Sequence, residues 1–150
     1  MDGRGGGGAL TEGAAGLWGL FAGSFLAATL LPGGSEAALA WLDLRGAHAP
    51  GTLLAVATAG NTLGGMSSWL LGRLAAGRWP PGRFLARRVR RRALAHVRRH
   101  GAPALLLSWV PVVGDPLCLA AGWAGVRWLP ALLFIAAGKA ARYAVLLWAV

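Results

Sequence analysis

Three stretches of this chain, residues 14–31, 50–72 and 128–150, are almost wholly apolar, and the first two carry no charge at all. A helix needs about 20 such residues to cross the roughly 30 Å hydrocarbon core of a bilayer, and these runs approach or meet that length. With 56% hydrophobic and only 13% charged residues over 150 positions, the chain lacks the polar surface that a soluble domain, about 25% charged, uses to cover its core. The fold expected is an all-α integral membrane protein.

Prolines and glycines cut the apolar runs in two places. Pro32, Gly33 and Gly34 interrupt the first run ahead of Ser35 and Glu36, and a second apolar arm continues to Leu42. Pro111, Gly114 and Pro116 do the same around Asp115, within the apolar segment 102–125. Proline removes a backbone donor and biases the residue before it away from helix, so each site reads as a helix–break–helix hairpin with an acid at its tip. Ser35 before Glu36 suits a helix N-terminus, where a hydroxyl caps free N–H groups and an anion is favoured. A carboxylate at membrane depth costs about 2.5–3.5 kcal/mol on insertion scales, so Asp115 must face a cavity or a partner.

The net charge of +10 does not read as a nucleic-acid footprint, because eight of the fifteen Lys and Arg residues lie between Arg83 and Arg99, between two hydrophobic halves. A basic block flanked by membrane segments follows the positive-inside rule and marks the cytoplasmic side. Leu85, Val89, Ala93 and Val97 recur every fourth residue in it, which predicts an amphipathic helix from Gly82 onward, lying on the headgroups. One cysteine, Cys118, and three scattered histidines offer neither a disulfide nor a metal set; no cofactor is expected. The Gly-rich residues 1–13 read as a disordered tail. Residues 14–150 then form one membrane domain: repeat one over 14–72, the basic connector over 73–100 and repeat two over 101–150.

The halves match at their breakers. Pro32 precedes Glu36 by four residues, as Pro111 precedes Asp115, and Gly60-Asn61 follows the first acid at nearly the spacing at which Gly138-Lys139 follows the second. Each repeat is thus a hairpin, re-entrant or with both arms crossing fully, plus one spanning helix with a polar residue at mid-depth. A single basic connector between them inverts the second repeat and leaves both termini outside. Inverted repeats with broken helices meeting at the midplane are the architecture of many secondary transporters. Asn61 needs a partner there, and Lys139 with Arg142 lies too deep to reach either interface easily. Gly60 and Gly64 form a small-xxx-small face that admits another helix, from within the chain or from a second copy.

Leu31–Glu36, Gly60–Gly65 with Leu71-Gly72-Arg73, Leu107–Trp123 and Gly138–Tyr143 together resemble the YqaA branch of the DedA, or SNARE-associated/VTT-domain, membrane proteins over residues 14–149. The resemblance implies a bacterial inner-membrane protein with two facing hairpins, tied to membrane homeostasis and to movement of lipids, with proton coupling in some members. Glu36 and Arg73 match the general DedA pattern, whereas Asp115, Lys139 and Arg142 belong to the YqaA-like branch. Ser108 and Gly114 stand where the broader pattern carries arginines.

These residues define a candidate substrate- and proton-binding set of Glu36, Asp115, Lys139, Arg142, Arg73 and Asn61. Two acids and two bases pair at rest, and an anionic headgroup competes with the carboxylates for the cations; a carboxyl taken out of water holds its proton more tightly, which provides for proton coupling. The function expected is a transporter or flippase for an anionic, phosphate-bearing lipid or other amphiphile, not an enzyme. The alternatives are a structural partner or assembly factor of a membrane complex, where the ions are only struts, and a membrane-embedded lipid enzyme, against which the absence of a His or Cys nucleophile with a neighbouring base counts.

Overall fold

The structure, a computed structural model of the chain, describes residues 6–28, 34–46, 48–78, 80 and 88–149. All regular structure among them is helical. The helices are α1 (Gly6–Ala27), α2 (Gly34–Leu44), α3 (Pro50–Ala76) and α4 (Arg88–His100), then a 3-10 helix (Ala102–Trp109), α5 (Gly114–Trp123) and α6 (Trp128–Ala149). Among the described residues α6 alone is both long and apolar enough to cross a bilayer by itself. Trp128 and Trp148 stand near its two ends, twenty residues and so about 30 Å apart, the spacing of the aromatic belts at two membrane interfaces. Large apolar side chains project outward from α3 and α6, among them Leu63, Leu70, Leu71, Leu133, Val145 and Trp148, a surface that water would penalise and hydrocarbon would not.

Backbones approach closely along α3 because its inward positions are small. At Gly60 and Gly64 a side chain would collide with the carbonyls of Phe21 and Phe25, so this face receives α1 of the same chain. Farther along, Gly72 lies against the Leu119 carbonyl of α5 while Gly122 of α5 lies against the Trp69 carbonyl of α3. That reciprocal pair lets α3 and α5 cross in backbone contact, and the Trp69 indole N–H donates to the Val126 carbonyl at 3.1 Å just beyond.

Two apolar clusters result. One gathers Leu20, Leu39, Leu42, Leu53, Ala57 and the ring of Tyr143 from the first hairpin, α3 and α6. The other gathers Ala93, Leu94 and Val97 of α4, Ala104 and Leu105, Leu117 and Cys118 of α5, and Ala131 and Ile135 of α6. On α3 and α6, Asn61 and Lys139 fall between the segments that feed the two clusters, and both are buried.

Three expectations change. Residues 6–13, read as part of a disordered tail, belong to α1; Ala9, Leu10, Ala14 and Ala15 favour helix despite the glycines, and His48 Nε2 contacts the Gly13 carbonyl at 3.1 Å. The stripe of α4 does not face headgroups, because Ala93, Leu94 and Val97 pack inward on the second hairpin; an amphipathic period reports an apolar partner without saying whether it is lipid or protein. Leu85, Val89 and the helix start at Gly82 lie outside the described side chains. Finally, Pro111 but not Pro116 sits in the break, which spans 110–113; Pro116 occupies the first turn of α5, where a missing N–H costs nothing.

Candidate functional site

Helix α6 carries the site. Lys139, Arg142 and Tyr143 are three and four residues apart and so share one face, and Gly138 beside them lets the 3-10 helix approach, its Leu106 carbonyl lying where a side chain would go. That face meets the first hairpin at two points. Arg142 forms an ion pair with Glu36, in the first turn of α2. The Tyr143 hydroxyl accepts a hydrogen bond from the Asn61 amide at 2.5 Å and donates to the Ser35 hydroxyl at 2.9 Å. Tyr143 is fully buried, so Asn61 of α3 finds the partner its depth requires, and α2, α3 and α6 are joined through one phenol. Tyr143 is not among the six candidate binding residues, and its offset of four from Lys139 is the signal that puts it on their face.

The second hairpin arrives from the other side. Asp115 is in the first turn of α5, as Glu36 is in α2, and it lines the same cavity as Lys139. Lys139 is only 3% exposed. The break is tight: Gly114 lies against the Ser108 carbonyl, leaving no room for a side chain, and Val112 adopts φ 70°, a left-handed conformation costly for a β-branched residue. Ser108 and Gly114 are therefore in contact with each other.

Ser35, Asn61, Ser108, Asp115, Lys139 and Arg142 line one polar cavity together with residues of the break. Its volume is about 20 Å³, room for about one water and not for a phosphate group. Asn61 Oδ1, Ser108 Oγ and Asp115 Oδ1 are buried in its wall without hydrogen-bond partners among the described residues, which makes the wall polar. Arg142 and Pro111 also line a second, apolar groove of about 400 Å³, walled by Trp109, Ala141, Val145 and Leu146, with Glu36 at its edge.

Of the candidate set, Glu36, Asn61, Asp115, Lys139 and Arg142 come together. Arg73 does not; it is exposed near the end of α3, its guanidinium beside the Gly125 turn. Pro32 and Gly33 lie outside the described residues, and Gly34 opens α2.

The chain is 47% identical over 130 residues to "Inner membrane protein YqaA" of Escherichia coli (strain K12), covering 85% of each chain, and equally so to the protein of that name from Shigella flexneri. The chain belongs to the YqaA family. A Haemophilus influenzae protein, named only as uncharacterized, is 40% identical over 136 residues, 85% of this chain and 83% of its own. Neither a family model nor a solved structure matches. The motifs Leu31–Glu36, Gly60–Gly65, Leu107–Trp123 and Gly138–Tyr143 thus resemble the branch to which the chain belongs. The relatives' name puts the family in the inner membrane, in keeping with the outward leucines and tryptophans of α3 and α6.

Proposed function

We propose that this YqaA-family chain is a transporter or flippase that moves an anionic lipid or other phosphate-bearing amphiphile without changing it chemically. The observation that carries the reading is the convergence of Glu36 and Asp115, from two separate hairpins, on Lys139 and Arg142 of one apolar helix. Four ionisable groups near the middle of a spanning helix are expensive to hold there, and together they offer two cations for an anion and two carboxylates that release them. Protonation of Glu36 frees Arg142, and so couples anion entry to a proton. Arg142 suits a phosphate through its planar fork and Lys139 as a point charge.

Two inverted repeats account for the arrangement. Each acid lies in the first turn after its break. Gly60 and Gly138 each press on a carbonyl of the arm that opens their own repeat, Phe21 and Leu106, and a buried polar residue, Asn61 or Lys139, follows each glycine. With the arginines of the connector cytoplasmic, both termini are outside. The 20 Å³ cavity belongs to a closed arrangement, and admission of a headgroup requires the break at 110–113 to move away from α6.

Reconstitution into liposomes tests the reading. The expected result is translocation of a phosphate-headgroup lipid faster than of a neutral one of the same chains, with the lipid recovered intact by mass spectrometry. Equal rates with and without protein contradict it, and a cleaved or transferred headgroup replaces it with an enzyme.

A second reading, a non-transporting structural partner, is favoured by one observation: Arg142 and Glu36 already satisfy each other. On that reading the ions only dock the first hairpin on α6.

A further inference from the structure

The polar cavity and the apolar groove meet at Arg142. This residue and Pro111 line both, whereas Lys139 and Asp115 line only the cavity, and Glu36, Trp109 and Leu146 only the groove. Glu36 therefore engages Arg142 from the groove side, and its side chain is 32% exposed against 13% for that of Arg142. The carboxylate is the more accessible member of the pair.

This asymmetry has a chemical meaning. Removing the partner of a largely buried guanidinium is costly, but replacing it with another anion in the same place is not, because the charge is never left alone. An anionic head arriving along the groove exchanges with Glu36, which turns outward, while the hydrocarbon behind the head stays on the walls formed by Trp109, Val145 and Leu146. A neutral head gains nothing from Arg142 and leaves Glu36 in place.

We propose that the groove is a chain-binding subsite for an anionic amphiphile and that Glu36 is its competitive latch, holding Arg142 until an anionic head displaces it. The occupant is fixed by charge complementarity at one end and by apolar walls along the rest. The inference rests on the transport reading for its purpose, yet it concerns binding and is tested separately.

The test uses the full chain in neutral maltoside micelles with 11-bromoundecyl phosphate as probe, its bromine quenching tryptophan. The Trp109 signal is taken as the difference between the wild type and Trp109→Phe. Saturable quenching is expected with the phosphate, and at least tenfold weaker quenching with 11-bromoundecanol. Arg142→Gln should weaken the phosphate probe tenfold or more. Glu36→Gln should tighten it several-fold, a gain that unfolding cannot produce. Equal quenching by the alcohol, or a Glu36→Gln variant that binds no better than the wild type, overturns the latch. Inorganic phosphate that displaces the probe at equal concentration overturns the chain subsite, since the head alone would then suffice. If quenching fails while reconstituted protein still moves lipid, the groove inference falls and the transport reading stands; binding as expected without translocation has the reverse meaning.

Discussion

Tyr143 joins three helices through one oxygen, between the Asn61 amide and the Ser35 hydroxyl. Tyr143→Phe keeps the ring in the apolar cluster and removes both hydrogen bonds, leaving two buried polar groups unmatched at about 1–3 kcal/mol each. A loss of about 2 kcal/mol or more in unfolding free energy, measured by denaturant titration in detergent, is expected; a loss below about 0.5 kcal/mol means that the network does not hold the first hairpin. Val112 is the opposite case. Its φ of 70° stores about 1–3 kcal/mol in a β-branched residue, and with 70% exposure its side chain returns little packing. Val112→Gly should raise the thermal midpoint by several degrees, even after the extra freedom glycine gives the unfolded chain, and a lowered midpoint contradicts the assigned strain.

Between elements, the tightest contact is the crossing of α3 and α5 at Gly72 and Gly122. Gly72→Leu and Gly122→Leu each force the same two backbones apart, so each costs about 1–3 kcal/mol or more. The double variant should cost clearly less than the sum, because neighbours in one contact are not additive; additive losses in a double-mutant cycle would place the two glycines in separate contacts. At this scale the sequence was readable where a rule has one outcome. A proline four residues ahead of an acid located the break at 110–113, and Gly60 with Gly64 located a close helix contact. It was less readable where a pattern has two outcomes. The i+4 stripe of the basic connector packs on protein, the Gly60/Gly64 face is filled by α1, and nothing local marks residues 102–109 as 3-10 rather than α. The convergence on α6 was half legible: Lys139, Arg142 and Tyr143 share a face by spacing alone, but which hairpin residues meet that face is a matter of tertiary packing, and Arg73 went elsewhere.

Across the whole molecule, charge is sorted by end. Arg73, the Gly125 turn and α4, with Arg98 over the Trp123 ring, gather at one end, while His48 and Gly13 meet at the other. The proposed topology puts the first end in the cytoplasm, by positive-inside sorting. In a Cys118→Ala background, Glu12→Cys should react with an impermeant maleimide in spheroplasts and Ala95→Cys only after the membrane is opened; the reverse pattern would invert the orientation. Between these ends lies the polar layer on which the functional account depends, and the question is whether Arg142 and Glu36 serve transport or only hold the fold. The measurement that separates these is the exchange Glu36→Arg with Arg142→Glu, read by unfolding midpoint and by lipid translocation in liposomes. A midpoint within a few degrees of the wild type and translocation at least tenfold slower are expected, because the cation is then absent from the position shared by cavity and groove. Recovery of both midpoint and translocation would contradict the transport role and make the pair a strut.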